Sequence, residues 1–229
     1  MKALISNHDI KMLNSMREYL EAEGIQVVIC NSYLEAIQYI NRTDMDLLIL
    51  DTEYPAVKGI DLCKKFRAVS NYTPIILTSC LSDEKLMKYG LEHGADDFLL
   101  LPKNIKALAM RAKVLMRRYR LYSETHLKGA YNEISCNGLT INTDTHECYI
   151  ANLPIILTNT EFIILRSLLQ KCDEIVTNEE IFRALWMKEN YIKNNTISVH
   201  VNHIRNKLGS KSKGIETIWG IGYRFNTKV

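Results

Sequence analysis

Over roughly the first 120 residues, short apolar runs alternate with segments of helical spacing. Ala3–Ile5, Gln26–Cys30, Leu47–Leu50, Pro74–Thr78 and Asp97–Leu101 read as five buried strands. Helical patterns lie near Ile10–Ala22, Tyr33–Asn41, Gly59–Val69, Ser82–His93 and Ile105–Tyr119. Strands that alternate with helices predict crossover units and a parallel sheet. In such a sheet the functional groups gather at the carboxyl ends of the strands. Here those ends carry Asn7-His8-Asp9, Asp51, Ser79 and Leu101-Pro102.

A polar junction from Arg117 to Gly129 reads as the end of a helix and a linker. The expected division is a first domain over 1–120, a linker over 121–130 and a second domain over 131–229. Beyond the linker, short strands are expected at Leu139–Asn142, Glu147–Ile150 and Leu153–Leu157. Three helices follow, near Asn159–Gln170, Asn178–Trp186 and Asn194–Leu208. Thr158 with Glu161, and Thr177 with Glu180, have the spacing of capping boxes. The chain closes with two alternating strands around Gly220 and Gly222, and a hairpin after a helix-turn-helix is a winged helix.

The last of these helices is the most informative. Ile197, Val201, Ile204 and Leu208 fall within a stripe about 60° wide at 100° per residue, which predicts burial. Asn195, Ser198, Val199, Asn202, His203 and Asn206 occupy the opposite face, with His200 and Arg205 on the flanks and no acid among them. Amides, imidazoles and a small apolar side chain suit the edges of bases in a major groove. The blander reading of His200 and His203 is that they satisfy neighbouring backbone.

Charge sharpens this picture. The whole chain carries +3, yet from Lys193 onward seven bases face the single acid Glu216, a local +6. That concentration favours a polyanion as partner. The 229 residues suit two small domains, and 47% apolar with 24% charged residues excludes extended disorder. No run has membrane-spanning length, and Met1-Lys2-Ala3-Leu4 lacks a signal layout, so a cytoplasmic protein without membrane contact is expected. Six scattered cysteines show no metal-ligand spacing and are expected to be reduced and buried. No nucleophile–base pair appears, so the chain is not expected to be an enzyme.

Four spaced blocks in the second half resemble the OmpR/PhoB-type two-component response regulators. They are Leu157-Thr158-x-x-Glu161-Phe162, Trp186, Val199-His200-Val201-x-x-Ile204-Arg205-x-Lys207-Leu208 and Thr217-Ile218-Trp219-Gly220-x-Gly222-Tyr223. The first half adds receiver landmarks: Asp51, Pro55, Gly59, Ser79, Gly94-Ala95-Asp96-Asp97-Phe98 and Pro102. The resemblance implies an α/β, flavodoxin-like doubly wound (βα)5 receiver domain followed by a winged helix-turn-helix domain. It implies base contacts from Ser198, Val199 and His203. It also implies backbone contacts from Trp186, Asn195, Thr196, His200, Asn202, Arg205, Lys207, Thr217, Trp219 and Arg224, with the wing near the minor groove. Several recognition-helix positions that are often arginine in this family are Asn195, Asn202 and His203 here, which shifts phosphate anchoring towards Lys207, Lys211, Lys213 and the wing.

The resemblance makes Asp51 the candidate phosphoacceptor, in a pocket formed with Asn7, His8, Asp9, Ser79 and Leu101. Two departures stand out. The family's acidic metal pair is Asn7 and His8, and its lysine before the proline is Leu101. Mg2+ prefers anionic oxygen, so at most a weak site at Asp51 is expected, relevant only if phosphorylation occurs, and no other cofactor. Asp9 sits one position late, where helix capping explains it equally well. Cys80 beside the pocket is either a redox switch favoured by His8 or a small buried thiol in place of alanine.

The family pairs receivers through the fourth helix, fifth strand and fifth helix. Asp96, Asp97, Arg111 and Arg118 resemble its ion-pairing set, and one expected charged pair is Met87 and Ala107 instead. The expected function is a sequence-specific DNA-binding transcription regulator, homodimeric through its receivers, acting on double-stranded DNA without conventional Asp phosphorylation. The alternative is a phosphorylation-gated regulator with slow transfer to Asp51 from a histidine kinase. RNA polymerase is a further candidate partner. An adaptor that has lost DNA binding is disfavoured by the basic wing region and the polar helix face.

Overall fold

The computed structural model describes residues 1–30, 32–39, 45–53, 58–69, 73–125, 133–186 and 196–228. It divides into two units, Met1–Arg120 and Leu121–Val229. In the first, strands β1 (Lys2–Ser6), β2 (Gln26–Cys30), β3 (Leu47–Asp51), β4 (Ile75–Ser79) and β5 (Asp97–Leu100) pair in parallel in the order β2-β1-β3-β4-β5. Between and after them run α1 (Ile10–Ala22), α2 (Tyr33–Gln38), α3 (Lys58–Val69), α4 (Glu84–Glu92) and α5 (Ile105–Thr125). Every residue of β3 and β4 is buried, which is why those segments are continuous apolar runs rather than alternating ones. Leu13, Met16 and Leu20 of α1 and Leu108, Ala112 and Leu115 of α5 share a core with Ile5, Leu47, Ile49 and Leu99 of the sheet.

The strand order reverses between β1 and β3. Their carboxyl ends therefore open the crevice in which doubly wound sheets hold ligands. One boundary differs from expectation. α5 continues to Thr125, so residues 121–125 are helix rather than linker. Nothing in Arg117–Thr125 stops a helix, since the next glycine is Gly129.

The second unit begins with an antiparallel sheet of β6 (Glu133–Cys136), β7 (Leu139–Asn142), β8 (Cys148–Ile150) and β9 (Leu153–Ile155) in sequential order. Helices α6 (Asn159–Gln170), α7 (Asn178–Trp186) and α8 (Thr196–Leu208) follow. A second sheet has the order β10-β12-β11, from β10 (Ile175–Thr177), β11 (Ile215–Ile218) and β12 (Gly222–Phe225). β6 and β10 were not expected. β10 has only three residues and is a strand because β12 is brought alongside it. A Cβ on Gly222 would lie 2.1 Å from the Val176 carbonyl oxygen, so this pairing requires glycine there.

Both capping boxes form. Thr158 Oγ1 accepts the Glu161 N–H at 3.3 Å, and Glu161 Oε2 accepts the Thr158 N–H at 2.7 Å. Thr177 and Glu180 repeat the exchange at 3.2 and 2.8 Å. Among the cysteines expected to be reduced, Cys136 and Cys172 are brought together as a pair. They are 36 residues apart and meet through the packing of α6 on β6, which sequence spacing does not reveal. Cys30, Cys63 and Cys148 are free and buried, as expected, whereas Cys80 is exposed. No helix among the described residues is long and apolar enough to cross a membrane.

Candidate functional site

Asp51 closes β3 and is only 4% exposed. α3 presses on it from one side: a Cβ on Gly59 would lie 2.0 Å from the Asp51 carbonyl oxygen. From the β1–α1 turn, His8 closes on the carboxylate. Its Nδ1 lies 2.5 Å from Oδ2, and its backbone N–H donates to the same oxygen at 3.2 Å. The bond to Asp51 holds the imidazole pKa above its ordinary value against partial burial, which favours an imidazolium seated on the carboxylate. Asp9 caps α1, accepting the Lys11 N–H at 2.8 Å, and its own N–H donates to Asn7 Oδ1 at 2.8 Å. The carbonyl of Asn7 is thus engaged in the turn.

Ser79, at the end of β4, donates its hydroxyl to Glu53 Oε1 at 2.6 Å. The same oxygen accepts the backbone N–H groups of Cys80 and Leu81, the latter at 3.0 Å, while Cys80 Sγ lies 2.7 Å from Oε2. Burial raises the Glu53 carboxyl, but these donors outweigh it and hold the pKa below its usual range. In return, Glu53 pushes the Cys80 thiol up to about 11. The reading of Cys80 as a buried alanine substitute is corrected, since the residue is exposed, and the neighbouring Glu53 carboxylate disfavours its thiolate. Leu101 is buried against the apolar core with Leu99 and Leu108, and Lys103 is exposed.

On α8 the apolar stripe of Ile197, Val201, Ile204 and Leu208 is buried. The opposite face departs from the wheel. Ser198, Asn202 and Asn206 are exposed, but Val199, at 7%, and His200 are buried. His203 turns to Glu161, its Nδ1 3.3 Å from Oε1. The physical reason is that α8 packs on both α6 and α7, so its buried sector is wider than one stripe. Outward projection holds for Ser198 but not for Val199 or His203.

Several cations expected at phosphates are likewise engaged by partners within the chain. Lys207 Nζ lies 2.6 Å from Glu161 Oε2. Burial raises the Glu161 carboxyl, yet His203, Lys207 and the Thr158 N–H bring it down to about 2. Arg205 donates to the Ile215 carbonyl and to Thr217 Oγ1, each at 2.8 Å, and to Asn202 Oδ1 at 3.2 Å. Arg224 pairs with Glu216 at 2.7 Å. Trp186 is buried beside Phe182, ring centroids 4.7 Å apart, and Thr196 is buried too. Trp219 stands at the tip of the wing, 90% exposed. Asn195, Lys193 and Pro55 lie outside the described residues.

Two family models match the chain: "Response regulator receiver domain" over residues 3–114 and "Transcriptional regulatory protein, C terminal" over 152–225. The regulatory protein VanR of Enterococcus faecium is 36% identical over 97% of both chains. The phosphate regulon transcriptional regulatory protein PhoB of Shigella flexneri is 28% identical over 91% of this chain and 90% of its own. A solved RitR mutant shares the fold, with a TM-score of 0.75 at 20% identity over 98% of both chains. The chain belongs to the OmpR/PhoB-type response regulators. It is a transcription regulator with a receiver and a DNA-binding winged-helix output domain.

Two acids of the expected inter-receiver set have partners within the chain. Asp96 is buried and paired with Arg67 at 2.6 Å, and Asp97 is buried and paired with Arg111 at 2.6 Å. A desolvated carboxylate needs a partner at hand, and each finds one within the chain. The side chain of Arg118 lies outside those described. Met87 and Ala107 are partly exposed on α4 and α5, with Met110 40% exposed. Sequence reading missed Glu53 and Arg67. A lone acid two residues beyond Asp51 carries no pattern, and only the fold brings Arg67 to Asp96.

Proposed function

We propose that this response regulator binds specific double-stranded DNA as a homodimer, and that its receiver supports dimerisation without conventional phosphorylation of Asp51. The observation that carries this reading is His8 Nδ1 at 2.5 Å from Asp51 Oδ2. Phosphoryl transfer in this family relies on Mg2+, which would supply Lewis-acid stabilisation of the transferring group. The donor set present does not fit that ion. Asn7 offers a carbonyl already bonded to Asp9, His8 offers nitrogen, and the position of the family's lysine holds an apolar side chain turned into the core. His8 Nδ1 engages an Asp51 carboxylate oxygen that would otherwise be available to such an ion.

The dimer face rests on Met87, Ala107 and Met110 rather than on charged pairs, which makes association insensitive to salt. DNA reading rests on Ser198, Asn202 and Asn206 along α8, with Trp219 of the wing and the exposed Lys213 that precedes β11. Arg205, Lys207 and Arg224 act mainly by holding α8 and the wing strands in place. Incubation with acetyl phosphate and Mg2+, followed by mass spectrometry, tests the receiver. Unmodified Asp51 in a chain that is dimeric and binds DNA supports the reading. Stoichiometric phosphorylation overturns it in favour of a kinase-gated regulator.

A further inference from the structure

The groups around Glu53 form a small anion cradle: one hydroxyl, two backbone N–H groups and a thiol converge on a single carboxylate. We propose that Glu53 is a built-in occupant of this cradle, a carboxylate held on Ser79, Cys80 and Leu81 that keeps external oxyanions out. Ser79 Oγ and Leu81 N lie 2.6 and 3.0 Å from Oε1, and Cys80 N donates to the same atom. Cys80 Sγ sits 2.7 Å from Oε2. Backbone N–H groups that converge beside a strand end are a general device for binding anions. Here the anion is covalently part of the chain, two residues from Asp51, so its local concentration exceeds that of any free oxyanion.

This inference deepens the reading of a receiver that works without phosphorylation, because it accounts for the hydroxyl side of the pocket as His8 accounts for the carboxylate side. It has its own readout in Cys80, the one exposed cysteine among the described free ones. With Glu53 in place the thiol is pushed up to about 11 from an ordinary 9.0. Glu53→Gln removes the charge and returns the thiol towards its ordinary value. After allowing for the lower nucleophilicity of a more acidic thiol, alkylation near pH 8 should speed up about tenfold.

The experiment follows iodoacetamide labelling of Cys80 in the full chain by site-resolved mass spectrometry, for wild type, Glu53→Gln and Glu53→Ala. Continued protection of Cys30, Cys63 and Cys148 reports that the variants are folded. Faster labelling of Cys80 in Glu53→Gln supports the proposal, and an unchanged rate overturns it. Inorganic phosphate should slow labelling in Glu53→Ala, where the cradle is vacated, and leave wild type unaffected. Equal slowing in both chains also overturns the proposal. Phosphorylation of wild-type Asp51 in the separate acetyl phosphate experiment would end the phosphorylation-independent reading while leaving the Cys80 result intact, so the two failures are distinguishable.

Discussion

The receiver pocket and the output helix treat their charged groups in similar ways, with opposite consequences. In the pocket, His8 meets Asp51 and Glu53 meets Ser79, so these polar groups are paired within the chain itself. In the output unit, Lys207 meets Glu161, Arg205 meets the β11 backbone and Arg224 meets Glu216. There the pairs leave Ser198, Asn202, Asn206 and Trp219 exposed, the groups proposed to meet DNA. Internal pairing closes a site when it consumes the ligand's own contacts. It builds a site when it fixes the scaffold that presents them.

The largest expected effect tests the scaffold side. Glu161→Ala removes the acid shared by His203 and Lys207 together with half of a capping box, and should cost about 2–3 kcal/mol of stability. That figure is kept low because Lys207 is one-third exposed and reaches water once released. Chemical denaturation of the output unit checks it. The Glu161 carboxyl is depressed in the folded chain, so its stabilisation is complete above pH about 4.5 and is lost as the pH falls towards about 2. Glu161→Ala should flatten that acid limb, and an unchanged limb would place the stabilisation elsewhere.

Trp219→Ala probes the presented face. Its 90% exposure means stability should move by less than about 0.5 kcal/mol, while DNA affinity in a mobility shift falls about tenfold. A drop in stability instead would make Trp219 scaffold. A smaller effect is expected from Lys213→Ala, which removes an exposed base. It should weaken specific and scrambled DNA alike by about threefold and reduce the log–log salt slope by about 0.9. Smallest of all, Asp51→Asn should change dimerisation and DNA affinity by less than about twofold, measured by light scattering and salt-titrated mobility shifts. A larger change would mean that the pocket is gated after all, and the contrast between a closed and a presenting site would collapse.

Much of this was legible before the fold was seen. Five apolar runs, two capping boxes and the stripe from Ile197 to Leu208 announced both units, because periodicity and caps are local properties. The pocket was legible through what occupies the family's positions: Asn7, His8 and Leu101 show as substitutions in a line of text. Glu53 was not legible, because its role depends on donors about 26 residues away at the end of β4. The wheel of α8 misplaced Val199 and His203 for a related reason. A hydrophobic stripe indicates which side must be buried, while the number of neighbouring helices sets how wide the buried sector becomes.

By itself, then, the amino-acid sequence determined the order of elements, the parallel sheet, the winged-helix output and the identity of the groups at the Asp51 pocket. The tertiary structure alone decided which charges are spent internally. Pairing of His8 with Asp51, Glu53 with Ser79, and Glu161 with Lys207 and His203 requires strands and helices far apart in the chain to end side by side. Buried carboxylates bind the nearest donors the packing supplies, and that proximity is a property of the fold.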